Sequence, residues 1–421
     1  MKGTAGVQLP VAKTGITIAA WALTRTVLLL CVLKVLVVPG PDVTSDVSGI
    51  YRGWYEVLKT GTYPLDDVTW QYPPAAALAI LSPALLPFLE YATAFFVLAL
   101  LCDAVVFGLL LYAGRRPGKS PRGAWVWVAG VALLGPTSLA RYDLMVTAVA
   151  VAALLAAARR PRVLGALAGF GALLKVWPVL LLVGTPRGRA TRGSWTAAVV
   201  TGVVVLLLCT AAMPGALAFL TFQRDRGTEV ESLGALVFHI ARHAGWEGQV
   251  LLHYGSVEFL GPYVPLVSGA ALGLTVLALG WLVVWRLRAR TFTSSTPADA
   301  AFVAVLLFTT TSRVISPQYL IWLVGTAAVC LAFRSSRMGL PAGLILVATG
   351  VTFLEFPIGF TQVVESSPLG IAMLVLRNGL LVAATLIACR RLWAGTVPGA
   401  RGDGAQARAA RPVRDKELLG S

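Results

Sequence analysis

The sequence predicts an all-α polytopic membrane protein, because its composition, its apolar segments and its clustered basic residues agree. Of its 421 residues, 57% are hydrophobic and 13% are charged, and the mean hydropathy is +0.78. Soluble proteins carry about 25% charged residues, so a chain with so few is expected in a bilayer. We expect a bundle of about 10–12 transmembrane helices, with short helices in the first outer loop.

Twelve apolar segments are long enough, or nearly so, to cross a hydrocarbon core about 30 Å thick. They lie near residues 15–38, 74–90, 92–113, 124–140, 143–158, 163–184, 195–213, 263–286, 299–312, 318–333, 338–355 and 369–389. Twelve crossings would place the basic loops 115–122 and 159–162 outside, against the charge rule. In the alternative, 74–113 holds one span and a re-entrant piece, and 163–184 is a re-entrant hairpin. Both alternatives share the same outer loops, at 39–73, 214–262, 312–318 and 355–368.

The basic residues form short clusters beside apolar segments, although the formal net charge of +16 first suggests a nucleic-acid partner. Clusters of this kind are typical of cytoplasmic loops. We therefore expect membrane lipids, and no nucleic acid, as partners. The clusters are Arg115, Arg116, Lys119 and Arg122; Arg159, Arg160 and Arg162; Arg187, Arg189 and Arg192; Arg286, Arg288 and Arg290; Arg334 and Arg337; Arg390 and Arg391.

Both ends of the chain are expected in the cytoplasm. Residues 1–14 precede a first apolar segment that lacks a small-residue cleavage site, so we interpret that segment as a retained span. Residues 15–390 would form the transmembrane domain, and 391–421 a disordered basic tail. The five cysteines stand apart inside apolar segments, which supports neither a disulfide framework nor a zinc site.

The first outer loop is unusually polar, since residues 42–74 contain four Asp, four Tyr and two Trp. Asp42 and Asp46 follow the prolines that end the first span, so both carboxylates lie at or just above the outer interface. A carboxylate near a partly apolar surface has the raised basicity needed to take a proton from a hydroxyl group. The alternative is that Asp46 only caps the following helix.

Aromatic and charged side chains follow Asp46 at helical spacing, including Tyr51, Arg52 and Trp54, and Tyr72 lies at the end of the loop. Such rings can stack on the face of a sugar. Trp and Tyr also occur at membrane interfaces without any ligand. Both explanations stay open for the individual rings.

Three basic residues lie where topology does not explain them. Lys175 stands inside an apolar segment, where a Lys costs about 2.5–3.5 kcal/mol unless it is paired or hydrated. Its expected partner is Asp143 or a bound phosphate. Arg141 and Asp143 could form a neutralised ion pair at a tight turn. Arg313, on the outer side, could hold a phosphate through paired hydrogen bonds or simply contact lipid headgroups.

The loop 214–262 carries alternating charges around Arg224, followed by an apolar stretch at 233–240 that predicts a surface helix. His239 and His243 have the i,i+4 spacing of a metal pair, but no HExxH glutamate lies between them. Metal binding and a plain amphipathic interfacial helix both fit this pattern, and we expect the second.

Four motifs, in this order, resemble glycosyltransferase family 87. They are Asp46 with Tyr51, Gln71-Tyr72-Pro73-Pro74, Lys175-Val176-Trp177-Pro178, and Ser316-Pro317-Gln318-Tyr319-Leu320-Ile321-Trp322. The resemblance covers nearly the whole chain as far as Trp322, and it departs from many members at 141–143. Members are integral membrane enzymes of the GT-C class that use a polyprenyl-phosphate sugar, so the resemblance implies a GT-C-type bundle.

The resemblance also implies roles for particular residues. Asp46 would be the catalytic base, with Asp42 the weaker candidate. Lys175, Arg313 and Arg141 would hold the donor phosphate. The further residues expected to contact substrate are Tyr51, Arg52, Tyr72, Asp143, Arg224 and Gln318. A phosphate-activated donor needs no nucleotide-binding domain, and we expect neither a cofactor nor a metal ion.

The implied activity is inverting transfer of a hexosyl group, foremost mannosyl, from a polyprenyl-phosphate sugar. The acceptor would be a lipid-linked or cell-envelope glycan on the outer face of the cell membrane. Arabinofuranosyl transfer is the alternative within the family. A transporter or flippase is the rival from another class, but it predicts paired broken helices in two related halves, which the sequence lacks. A membrane scaffold would leave the acidic first loop and Lys175 without a task.

Overall fold

Helices dominate the computed structural model, which describes residues 11–220 and 227–399. The predicted all-α polytopic fold is confirmed. In chain order the α-helices are α1 (Val11–Val32), α2 (Arg52–Leu58), α3 (Ala76–Leu81), α4 (Tyr91–Gly114), α5 (Arg122–Leu134), α6 (Asp143–Ala156), α7 (Pro161–Leu174), α8 (Arg189–Ala212), α9 (Ala235–Arg242), α10 (Val264–Arg288), α11 (Thr296–Thr310), α12 (Tyr319–Leu331), α13 (Gly339–Phe353), α14 (Phe360–Val364) and α15 (Pro368–Thr396).

Six helices within the described ranges are long and apolar enough to cross a membrane: α1, α4, α8, α10, α13 and α15. The shorter α11 and α12 lie at the centre, with almost every side chain buried. Small residues allow this close packing, as in other membrane helices. Gly123 lies against the backbone of Ala328, and Gly130 lies against Val324. A larger side chain at either glycine would push α5 away from α12.

A buried ion pair joins the first span to its neighbours. The guanidinium of Arg25 donates to both carboxylate oxygens of Asp103, at 3.0 and 2.9 Å, and both side chains are almost fully buried. Arg25 also donates to the carbonyl oxygens of Val128 and Trp127 on α5. Because removing one partner would leave the other charge buried and unpaired, this pair fixes α1 against α4 and α5.

The basic clusters gather at one end of the bundle, which we call the basic end. The amide of Ser120 donates to the carbonyl oxygen of Ala332 at 3.0 Å, which joins the α4–α5 loop to the α12–α13 loop. Arg187 donates to the carbonyl oxygen of Arg286, and the amide of Arg290 donates to the carbonyl oxygen of Thr396. The described residues of the four predicted outer loops lie at the opposite end, the loop end.

The segment 163–184 turns back on itself rather than crossing. Gly165 lies against Ser194 and Gly169 against Ala198, so α7 and α8 run parallel. Two consecutive parallel helices require the chain to return between them. The 3-10 helix Trp177–Leu182 makes this return and brings Gly184 against Pro297 at the basic end. The re-entrant alternative therefore holds for this segment, and twelve crossings are excluded.

The segment 74–113 likewise contains one long helix. The six residues of α3 and the 3-10 helix Ser82–Leu85 are too short to span a bilayer, and they fold back so that the Tyr91 hydroxyl donates to the Ile80 carbonyl oxygen. With both re-entrant pieces, every basic cluster within the described residues falls at the basic end, as the charge rule requires.

The loop end adds short elements to the bundle. Residues Asp46–Tyr51 form a π-helical turn that continues into α2. Three short strands form an antiparallel sheet in the order β1-β3-β2, which the sequence did not predict; they are β1 (Thr228–Glu229), β2 (Gln249–His253) and β3 (Ser256–Leu260). Thr228 pairs with Phe259, and Gln249 with Leu260. The predicted surface helix forms as α9, with Phe238 against Phe259 of the sheet.

The predicted boundaries at the two ends need adjustment. Helix α1 already begins at Val11, ahead of residue 15. Helix α15 continues to Thr396, past the expected start of the tail at 391. The reason is packing, since Trp393 lies 6.1 Å from Trp281 between ring centroids and Thr396 accepts a hydrogen bond from Trp285. Residues 400–421 lie outside the described ranges.

Candidate active site

A cavity of about 420 Å³ opens at the loop end, between the first outer loop, the break after α7 and the loop before α12. Six of the predicted site residues line it: Asp46, Tyr51, Tyr72, Lys175, Arg313 and Gln318. They come from four separate parts of the sequence. Asp42, Arg52, Arg141 and Asp143 do not line the cavity, and Arg224 lies outside the described residues.

Asp46 begins the π-helical turn and directs its carboxylate to the cavity wall. Its Oδ2 accepts an ion-pair contact from Arg141 Nη2 at 3.0 Å, and about 30% of its side chain is exposed. The preceding Ser45 makes no side-chain capping bond, and Asp46 is engaged with Arg141. The helix-capping explanation for Asp46 therefore finds no support in the structure.

Arg141 lies behind Asp46 instead of facing the cavity, which differs from its predicted role on the donor phosphate. Its Nη1 donates to the carbonyl oxygens of Val43 and Ala140, both at 2.8 Å, and the residue is buried. The sequence could not reveal this because Val43 and Arg141 lie 98 residues apart. Arg141 thus ties the first outer loop to the start of α6 and orients the Asp46 carboxylate.

Asp42 does not line the cavity. Its side chain is 45% exposed, pairs with Lys34 at 2.8 Å and accepts a hydrogen bond from the Thr44 hydroxyl at 2.7 Å. Partial burial raises the pKa of Asp42, but the bonds from Lys34 and Thr44 together outweigh it and lower the pKa below its ordinary value. A carboxylate so placed and so stabilised in its charged form is a poor base.

Lys175 stands at the break that ends α7, where the backbone becomes extended. Its Nζ lies 2.7 Å from Asp143 Oδ1, and the Trp322 indole donates to that same oxygen at 2.7 Å. The expected pairing with Asp143 is present. Asp143 is 1% exposed and sits behind Lys175, so the structure gives it no direct contact with a ligand in the cavity.

Aromatic rings surround the Lys175 ammonium. Its Nζ lies 5.2 Å from the ring centroid of Tyr72, 5.0 Å from Tyr142, 5.4 Å from Tyr319 and 5.1 Å from Trp322. Rings at this distance attract a cation through their π faces and shield it from water. Tyr319 and Trp322 belong to the motif at 316–322, so this motif builds the wall around the lysine.

The neighbouring residues Tyr51 and Arg52 have opposite environments. Tyr51 is buried, lines the cavity and stacks on Trp54 at 5.4 Å, and burial raises its pKa well above the ordinary value. Arg52 is exposed. Successive residues on a helix are turned by about 100°, and Tyr51 lies on the side that faces the cavity, whereas Arg52 is not among its lining residues. The predicted substrate contact of Arg52 stays a prediction, because its exposed side chain does not line the cavity.

Glu229 holds the loop that carries Arg313. The sequence analysis did not identify Glu229 as a site residue. The Glu229 amide donates to the Arg313 carbonyl oxygen at 3.1 Å. Its carboxylate accepts from the amide of Ile315 at 2.5 Å and from the hydroxyl of Ser316 at 2.6 Å. Glu229 is only 3% exposed. These three bonds set the position of the 313–316 backbone at the cavity.

A buried ionic cluster near Glu229 contacts the same loop. Arg377 of α15 donates to both oxygens of Glu355, at 3.1 and 2.9 Å, and to the carbonyl oxygens of Glu231 and Ile315. Burial raises the pKa of Glu231 well above its ordinary value, and the nearby carboxylates of Glu355 and Glu229 raise it further. Arg377 inside the apolar last segment was the signal that could have identified this cluster.

His239 and His243 have structural roles. The ring nitrogens of His239 contact the Ser366 hydroxyl at 2.7 Å and the Val230 carbonyl oxygen at 2.8 Å. His243 contacts the Ser366 carbonyl oxygen at 2.8 Å. Within residues 11–220 and 227–399, no group of three His, Cys, Asp or Glu side chains has a metal-binding arrangement. The i,i+4 pair therefore joins α9 to the loop before α15.

A sequence model of glycosyltransferase family 87 matches residues 70–317, more than half of the chain. The chain belongs to glycosyltransferase family 87. It is thus a membrane glycosyltransferase, and the family match contains Tyr72, Lys175 and Arg313. Asp46 precedes the matched range, so its assignment depends on the cavity geometry and on the motif order.

Solved structures and curated proteins add little for this family 87 chain. ArnT from Cupriavidus metallidurans is similar in its apo state (TM-score 0.46) and bound to undecaprenyl phosphate (TM-score 0.44). In both comparisons the identity is 14%, over 92% of this chain and 78% of ArnT. A likeness this distant carries no conclusion about function. No curated protein matches.

Proposed function

We propose that this family 87 enzyme transfers a hexosyl group, foremost mannosyl, from a polyprenyl-phosphate sugar. The acceptor is a hydroxyl of a lipid-linked or cell-envelope glycan. The proposal rests on the residues that line the cavity. One carboxylate, Asp46, faces a space that Lys175 and Arg313 also line. A base and a phosphate-binding pair are the groups that this reaction needs.

The chemistry follows from these three groups. The acceptor oxygen attacks the anomeric carbon while its proton passes to Asp46, and the new glycosidic bond forms as the bond to the phosphate oxygen breaks. Lys175 and Arg313 offset the negative charge that develops on the departing polyprenyl phosphate. One direct displacement inverts the anomeric carbon, so a β-linked donor yields an α-linked product.

Asp143 and Arg141 act through their neighbours in this scheme. Asp143 holds Lys175 at 2.7 Å, and Arg141 holds Asp46 at 3.0 Å. Asp46 and Lys175 are therefore each fixed by a buried partner of opposite charge. Such fixed charges stabilise a transition state without reorganising during the reaction.

The apolar part of the cavity lining suits the lipid portion of the donor. Val176, Phe219, Leu220 and Phe308 line the cavity beside the polar groups. The nearby α8 and α10 have few buried side chains, so both are exposed to lipid over most of their length. These features support a polyprenyl chain that reaches the cavity from the side.

The charge distribution supports a site on the outer face. Basic residues mark the cytoplasmic side of membrane proteins, and here they gather at the end opposite the cavity. The loop end would then face outside. A cell-envelope acceptor would meet the donor there.

The test is transfer of radiolabelled sugar by the purified full-length chain in sealed proteoliposomes, where movement of the donor between leaflets can also be measured. Polyprenyl-phosphate mannose and polyprenyl-phosphate arabinose are supplied separately, with a glycolipid acceptor. We expect transfer from the mannosyl donor, and Asp46→Asn to lower kcat by about 10²–10⁴-fold. Asp66→Asn, an exposed acid in the same loop, is the matched control and should keep full activity.

Each outcome decides a separate point. Transfer from the arabinosyl donor alone would replace mannose by arabinofuranose. Full activity of Asp46→Asn would remove Asp46 as the base. Movement of the donor across the bilayer without any transfer would contradict the enzyme and favour a flippase.

A further inference from the structure

An apolar groove of about 340 Å³ lies at the basic end, far from the cavity already described. The 3-10 helix after Lys175 contributes Leu180, α8 contributes Trp195, and α10 contributes Leu279 and Val283. Among the residues that line the groove, only Arg286 carries a charge. A bilayer-embedded groove of this kind has room for a hydrocarbon chain.

Two arginines stand side by side where the groove reaches the basic end. Arg187 Nη2 donates to the carbonyl oxygens of Arg286 and Leu287, at 2.6 and 2.8 Å. Arg286 Nη2 donates to the Thr191 hydroxyl at 3.0 Å, and the two guanidinium groups repel each other. Within the described ranges, neither arginine forms an ion pair with a carboxylate. An anion between them would offset this repulsion.

The position of Trp195 indicates the depth of the groove in a bilayer. Trp195 lies six residues after the start of α8 and is 43% exposed. Tryptophan is enriched at the level of the lipid headgroups. The arginine end of the groove would then lie at the headgroups, and its apolar length would lie among the acyl chains.

We propose that this groove binds one anionic phospholipid of the leaflet at the basic end. Its phosphate lies between Arg187 and Arg286, and one acyl chain lies along Leu279 and Val283. Basic pockets between transmembrane helices bind anionic headgroups in the same way. A zwitterionic lipid fits less well, because its own ammonium group cancels the charge that the arginines attract. The site is independent of the proposed sugar transfer.

The test uses native mass spectrometry of the purified full-length chain with phosphatidylglycerol or phosphatidylcholine. We expect one retained phosphatidylglycerol and weaker retention of phosphatidylcholine. Arg187→Gln and Arg286→Gln should each weaken phosphatidylglycerol binding about fivefold. Arg115→Gln removes one exposed charge at the same end, away from the groove, and should leave binding unchanged. Arg187→Gln decides the matter if Arg286→Gln does not fold.

A second variant tests the groove apart from its charge. Val283 is 58% exposed and lines the groove, so Val283→Trp fills the groove from the lipid side without altering any charge. We expect it to weaken phosphatidylglycerol retention to a similar degree. Equal loss in Arg115→Gln would overturn the proposal in favour of general surface charge. Unchanged binding in Val283→Trp, or displacement of phosphatidylglycerol by polyprenyl phosphate, would overturn it as well.

Discussion

The two ends of the bundle use their basic residues in different ways. At the loop end, basic side chains meet buried carboxylates: Lys175 pairs with Asp143 at 2.7 Å, and Arg377 with Glu355 at 2.9 Å. At the basic end, exposed arginines donate to backbone carbonyl oxygens, as Arg187 does to Arg286 and Arg334 to Lys119. Buried pairs fix the position of a charge, whereas exposed contacts of the second kind stabilise helix ends and loops. Only the first kind builds a site for chemistry.

Among the variants that compare the two ends, Lys175→Met has the largest expected effect. Lys175→Met removes the ammonium from the cavity, and we expect the donor KM to rise about tenfold to a hundredfold, the value of a charge-assisted hydrogen bond. Arg334→Gln at the basic end should change neither KM nor kcat. The measurement is initial-rate kinetics with the donor varied. An unchanged donor KM in Lys175→Met would remove the distinction between the two ends.

The effect of Lys175→Met on stability can be separated from its effect on donor binding. Lys175→Met leaves Asp143 buried without its partner, which destabilises the fold by about 3–5 kcal/mol. The double variant Lys175→Met, Asp143→Asn removes both charges and should recover most of that stability in thermal unfolding. Donor affinity should stay low in the double variant. If donor affinity returned together with stability, Lys175 would have only a structural role.

The sequence predicted single charged residues better than it predicted their partners. Lys175 was found because a lysine inside an apolar segment demands a reason, and the same argument applies to Arg25 and Arg377, which were overlooked. Partners were harder, because Arg25 and Asp103 are 78 residues apart and Arg141 meets Asp46 only through the folded loop. The motif also did not show which side chains of a helix face the cavity, so it did not separate Tyr51, which lines the cavity, from Arg52, which does not.

The small sheet was missed for a related reason. Its strands span two and five residues, too short for a period-two pattern to stand out within a charged loop. The membrane helices, by contrast, follow from hydropathy alone, because a bilayer requires every backbone group to be satisfied within its own segment. The sequence therefore predicted the helix bundle and most of the cavity residues, but not Glu229 and Arg377, which hold the loop at the cavity.

Glu229 tests whether those supports matter for chemistry. Glu229→Gln keeps the shape but loses the charge that accepts from Ile315 and Ser316, so the 313–316 backbone loosens. We expect kcat/KM for the donor to fall about tenfold or more, with the acceptor KM unchanged. Glu247→Gln, an exposed acid of the same loop, is the matched control. A parallel rise in the acceptor KM would contradict a role confined to the Arg313 side.

Glu231 gives the smallest effect and tests the buried cluster by its pH dependence. Burial, together with the carboxylates of Glu355 and Glu229, raises the pKa of Glu231. Above the ordinary pKa of a glutamate, the folded protein therefore still holds a proton that the unfolded protein has released. The stabilising contribution is therefore complete at low pH and is lost as pH rises through the raised pKa. We expect Glu231→Gln, which mimics the protonated form, to flatten this dependence between pH 5 and pH 8. It should raise the melting temperature by roughly 2 °C at the alkaline side. Glu365→Gln, an exposed acid at the same end, should follow the wild type, and a Glu231→Gln curve parallel to the wild type would show that Glu231 does not hold the proton.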